Sequence, residues 1–88
     1  MTFTLKWSKV AIEDLEKLPS DIIERILTKL DQVKENPKHF IESLSNIPAD
    51  KIRVGDYRIL IDLHENEKIL FIRTLGHRKN IYKKYKMD

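Results

Sequence analysis

Lys51, Arg53 and Arg58 fall within eight residues of one another in KIRVGDYRIL, residues 51–60, around Gly55-Asp56. Grouped cations of this kind bind phosphate, because the arginine fork meets two oxygens at once and a lysine adds a point charge. A second basic stretch, Gly76-His77-Arg78-Lys79-Asn80-Ile81-Tyr82-Lys83-Lys84-Tyr85, brings aromatic rings alongside cations. Charge for a backbone and a ring face for a base are what recognition of single-stranded nucleic acid uses. The plainer readings stay open: the arginines extend into water or pair with Asp62 and nearby acids, and Ile81, Tyr82 and Tyr85 form a small packing cluster.

A turn must bring these groups together. Glycine supplies the positive φ of a tight two-residue hairpin turn, so Gly55-Asp56 predicts pairing of Val54 with Tyr57, Arg53 with Arg58, Ile52 with Ile59 and Lys51 with Leu60. Alternation then sends Ile52, Val54, Tyr57, Ile59 and Ile61 to one face and Lys51, Arg53, Arg58 and Asp62 to the other. Facing like charges cost roughly a few tenths to 1 kcal/mol. Folding alone gives no reason for this, whereas a bound anion offsets it. On this reading Arg58→Ala leaves folding nearly intact.

The rest of the chain supplies a support. Phe3, Leu5 and Trp7 alternate as in a strand; Ser8 caps a short helix carrying Ala11, Ile12, Leu15 and Leu18, which Pro19 stops. Ser20 or Asp21 caps a longer helix with Ile22 or Ile23, Ile26, Leu27, Leu30 and Val33 on its stripe, ended by Asn36-Pro37. The acids Glu13, Asp14, Glu16, Asp21, Glu24, Asp31 and Glu35 form a solvated outer surface. Residues 37–50 read as a loop pinned by Phe40, Leu44 and Ile47. Strands follow at 51–54, 57–63 and 69–75, with Glu65-Asn66-Glu67 as a turn and Gly76 ending the last. The fold class is α+β: one domain over residues 1–88, an N-terminal strand, an antiparallel two-helix hairpin, then a three- to four-stranded antiparallel meander with helices on one face.

Charge is uneven: residues 1–50 carry 7 Lys/Arg against 9 Asp/Glu, residues 51–86 carry 10 against 4, and the overall sum is +3. A polyanion is the natural partner of the basic half, a ligand-free solvated face being the alternative. With no cysteine there is no thiolate chemistry, and His39, His64 and His77 lack metal-ligand spacing, so neither cofactor nor metal is expected. No apolar run approaches the roughly 20 residues of a membrane span, and MTFTLKWSK lacks the apolar core of a signal peptide. A cytoplasmic location is expected.

KIRVGDYRILI and GHRKNIYK resemble the R-x-G-x-Y-R hairpin and H-R-x-x-x-Y ending of the RelE/ParE toxin superfamily, and specifically its RelE branch. The Leu-Pro break of the helical hairpin fits as well. The resemblance covers nearly the whole chain and implies a ribosome-dependent endoribonuclease that cuts messenger RNA in the decoding site. It also implies a toxin–antitoxin hetero-oligomer with a cognate RelB-like antitoxin. Matched positions are Lys51, Arg53 and Arg58 in the hairpin, Arg78, and Tyr82. Two departures stand out: Leu44-Ser45-Asn46 replaces a glycine-containing turn, and few residues follow Tyr82.

Metal-free RNA cleavage deprotonates a 2′-hydroxyl, stabilises a pentavalent phosphate and protonates the departing 5′-oxygen. On the resemblance, Lys51 is the base, activated by crowding against two guanidiniums; Arg53 and Arg58 clamp the phosphate, Arg78 stabilises the transition state and donates a proton, and Tyr82 stacks on a base. His77 is a second candidate proton donor, or else a neutral histidine bonded to the backbone. The rivals are a ParE-like gyrase poison and a non-catalytic RNA- or ribosome-binding relative.

Overall fold

Phe3, Leu5 and Trp7 turn one side of the first strand, β1 (Thr4–Trp7), toward the core. The computed structural model describes residues 2–44 and 49–85, with side chains through Lys84; the expected turn at Ser45-Asn46 and the anchor Ile47 lie outside the described residues. Ser8 caps α1 (Lys9–Glu16) as predicted, its Oγ accepting from the Ala11 N–H at 3.0 Å and donating to the Arg73 carbonyl at 2.7 Å. One serine thus starts a helix and ties it to the last strand.

Helix α2 (Ser20–Val33) begins one residue earlier than expected. Pro19 takes the N-cap position, and neither Ser20 nor Asp21 caps. A proline cannot donate and its fixed φ suits a helix entry, so the start costs little. Ile26, Leu30 and Val33 are fully buried, whereas Leu27 and Ile12, both expected on apolar stripes, are exposed at 42% and 46%. Pro37 does not merely end a helix; it opens a single turn, α3 (Pro37–Phe40), and β2 (Glu42–Ser43) follows where a loop was expected.

Three longer strands, β3 (Asp50–Val54), β4 (Tyr57–His64) and β5 (Ile69–His77), complete a sheet ordered β1-β5-β4-β3-β2. All neighbours are antiparallel except β1 and β5, which run parallel at one edge. The hairpin register is the predicted one throughout: Val54 with Tyr57, Arg53 with Arg58, Ile52 with Ile59, Lys51 with Leu60. Gly55 has φ +57°, the left-handed value the turn needs. A Cβ there would also stand 2.8 Å from an Arg25 guanidinium nitrogen. Gly55→Ala should therefore cost about 1–2 kcal/mol, measured as a fall in thermal midpoint.

One face of the sheet packs Ile52, Val54, Ile59, Ile61, Leu70 and Ile72 against α1 and α2. The other face is not bare. β5 runs on through Gly76, which pairs with Arg58, and the chain then turns into a final helix, α4 (Arg78–Tyr85), whose Ile81 covers Leu60. Sequence periodicity missed this helix because it presents only Ile81 and Tyr82 to the sheet among mostly charged residues. Among the described residues no helix is long and apolar enough to cross a membrane.

Candidate functional site

Alternation along the hairpin places Lys51, Arg53 and Arg58 on the face away from α1 and α2, as the register required. They do not share one environment. The Lys51 side chain is 15% exposed and Arg53 59%, while Arg58 is buried at 3%. The Arg58 Nε donates to the Tyr82 hydroxyl at 2.9 Å, and Nη1 donates to the Gly55 and Tyr57 carbonyls, both at 2.9 Å. Arg58 is therefore a pillar between the turn and α4 as well as a charge. The expectation that it stands open to solvent and can be removed without effect on folding is overturned, because the unforeseen helix closes over it.

Tyr82 is where the cations converge. Lys51 Nζ stands 5.8 Å and the Arg58 guanidinium 5.7 Å from its ring centre. The hydrogen bond from Arg58 pulls the phenol below its ordinary pKa, helped by the charges of Arg58, Lys51 and Arg53 and opposed by burial. The repulsion expected between Arg53 and Arg58 is relieved inside the protein: Arg58 turns to carbonyl oxygens, and Arg53 lies 3.9 Å from a Glu42 carboxylate oxygen. Asp62 pairs instead with Arg73, at 3.6 Å.

Arg78 and His77 join the hairpin differently. The Arg78 backbone N–H donates to the Asp56 carbonyl at 2.7 Å, fixing the start of α4 on the turn while its side chain is exposed. His77 pairs with Tyr57 across the strands, and their rings meet edge to face at 5.5 Å. Tyr57 belongs to the helix-side core, so His77 lies on the face away from Arg58. Its Nδ1 accepts the Lys79 N–H at 3.2 Å, in the manner of a helix cap. This is the backbone-bonded histidine of the plainer reading, and the Lys51–Arg58–Tyr82 cluster forms without it.

A family model described as the ParE toxin of the type II toxin-antitoxin system, parDE, matches residues 5–82. The chain belongs to this toxin family. It is 26% identical over 82 residues to the mRNA interferase toxin RelE of Escherichia coli K12, covering 90% of this chain and 86% of that protein. Among solved structures it resembles the Mycobacterium tuberculosis RelBE2 toxin–antitoxin complex, with TM-score 0.82, 22% identity and coverage of 89% and 100%. It also resembles the archaeal RelE–RelB complex of Pyrococcus horikoshii, with TM-score 0.74, 26% identity and coverage of 89% and 97%.

Sequence reading missed one polar member of the toxin's site. Glu42, on β2 and in register with Lys51, places its carboxylate 3.8 Å from Lys51 Nζ as well as beside Arg53. A two-residue strand has no detectable period; the one available signal was that Glu42 is the sole acid between Glu35 and Asp50. Asp14 was likewise misplaced on the solvated surface. Its carboxylate accepts from Thr74 Oγ1 at 2.6 Å and from the Leu75 N–H at 3.4 Å, bracing β5 just before the Gly76-His77-Arg78 turn.

A groove of about 560 Å³ between α2 and the turn is lined by Arg25, Lys29 and Arg53 but also by Asp21 and Glu24. Its mixed charge makes it a poorer anion site than the Tyr82 face. Among the described residues no three His, Asp or Glu side chains are grouped to hold a metal ion.

The phenol shift gives a test of the cluster. Because folding favours the deprotonated form, Tyr82 stabilises the fold only as pH climbs into the ordinary tyrosine range near 10, and adds nothing by this route at neutral pH. Ultraviolet titration should show a phenolate step below that range, absent from Tyr82→Phe.

Proposed function

We propose that this toxin is a ribosome-dependent endoribonuclease that cuts messenger RNA in the decoding site by attack of the 2′-hydroxyl. The observation that carries the reading is the convergence of Lys51, Arg53 and Arg58 on Tyr82, on the sheet face opposite α1 and α2. The E. coli relative named an mRNA interferase supports it.

Lys51 and Arg53, the more accessible pair, hold the scissile phosphate and take up charge as it becomes pentavalent. Arg58 fixes the Tyr82 hydroxyl and thereby the ring on which a base stacks. Arg78 extends from the start of α4 and donates the proton that the 5′-oxygen carries away. Lys51 serves as the base only by first losing its own proton, a poor starting point for a side chain whose reference pKa is near 10.4. Such a site gains most from a substrate already held in line for attack, which is what the ribosome supplies.

A RelB-like antitoxin is the proposed partner, as in the archaeal RelE–RelB complex. The exposed Val10, Ile12 and Leu27 and the basic C-terminal half suit an amphipathic, acidic chain. Acting on ribosomes places the protein in the cytoplasm.

Controlled expression followed by primer extension on a reporter message tests the reading. Codon-phased cuts support it. Growth arrest with intact messages and DNA damage would indicate a gyrase poison instead, and ribosome binding without cutting a non-catalytic relative.

A further inference from the structure

We propose that Glu42 is the catalytic base of this site, taking the proton of the attacking 2′-hydroxyl while Lys51 and Arg53 stay protonated and hold the phosphate. The inference rests on the nuclease reading and replaces Lys51 in one role. Strand β2 is only two residues long, yet its register sets Glu42 directly beside Lys51. From there the carboxylate reaches both free cations of the cluster, at 3.8 and 3.9 Å, and the Glu42 side chain is 49% exposed. These separations exceed the roughly 2.7–3.2 Å of a committed hydrogen bond. The carboxylate is held near the phosphate-binding cations and remains open toward the cleft.

The chemistry favours this division. Carboxylates are ionised at neutral pH and ammonium groups protonated, with reference values near 4.3 and 10.4. Glu42 accepts a proton without first losing one, and Lys51 keeps the charge that makes it useful to the transition state. A phosphate seated on Lys51 and Arg53 lies beside the carboxylate that already neutralises them, so the adjoining 2′-hydroxyl comes within its reach. In the step, the O2′–H bond breaks and its proton passes to a Glu42 carboxylate oxygen as O2′ bonds to phosphorus. The P–O5′ bond breaks, and O5′ leaves with a proton from Arg78. A 2′,3′-cyclic phosphate and a 5′-hydroxyl result, and solvent restores both side chains. No electrons are transferred.

Single-turnover cleavage on ribosomes programmed with a defined message tests the assignment. Glu42→Gln keeps shape and removes basicity: the rate should drop by about 10²–10³-fold, with ribosome binding and thermal midpoint close to wild type. Glu42→Asp should recover part of the rate. Glu42→Gln cutting within about threefold of wild type overturns the proposal, because a mere counter-ion would be dispensable. Loss of binding in proportion to rate overturns it equally. A wild-type protein that binds ribosomes but cuts nothing refutes the nuclease reading itself, and Glu42's role with it; the wild-type control thus separates the two failures.

Discussion

Arg58→Ala should lower the thermal midpoint by roughly 12–24 °C, a loss of about 3 kcal/mol at about 4–8 °C per kcal/mol for a chain of this size. The buried guanidinium joins the hairpin turn to α4, through two carbonyls on one side and the Tyr82 hydroxyl on the other. Alanine strands three polar groups in a space that Ile81 and Tyr82 keep largely closed. Arg58→Lys should recover little, because one ammonium cannot reproduce the fork that spans both sides. Circular-dichroism melts of the three proteins measure this. A melt of Arg58→Ala within a few degrees of wild type would mean that α4 holds its place without the arginine.

Arg78→Ala should behave in the opposite way, abolishing codon-phased cleavage while the fold melts as before. Its side chain is exposed, and the interaction that fixes α4 on the turn is made by its backbone N–H to Asp56, which alanine preserves. Losing one preorganised donor for developing charge costs about 10²–10³-fold in rate. Surface truncations of this kind usually change stability by less than about 0.5 kcal/mol. Rates on programmed ribosomes set beside melts separate the two residues: Arg58 acts on fold and site together, Arg78 on the reaction alone.

The hairpin was legible in the sequence because one local signal, glycine at a turn, fixes a register, and a register fixes faces. From Gly55 alone follow the Arg53–Arg58 pair and the separation of cations from the apolar set. The helical hairpin was legible for a similar reason, apart from its exposed edges at Ile12 and Leu27. What could not be read were features settled by contacts distant in sequence. Strand β2 exists because Glu42 and Ser43 find β3. Helix α4 forms over Leu60 and Arg58 although its sequence is mostly charged. Asp14 leaves the solvated surface because Thr74 lies opposite it. Each of these changes the site: a carboxylate enters it, a helix covers part of it, and Arg58 becomes structural. Residue types pointed to an anion-binding face, but the arrangement of Glu42, Lys51 and Arg53 required the tertiary fold.

The central claim, cleavage by a 2′-hydroxyl at the Lys51–Arg53–Tyr82 face, is tested most directly by a ribosome-bound message carrying one 2′-deoxynucleotide immediately 5′ to the cut phosphate. The account predicts that the toxin cuts the all-ribose message there, leaving a cyclic phosphate and a 5′-hydroxyl, and leaves the deoxy-substituted message intact at that position. Cutting of the substituted message at the same phosphate would contradict it.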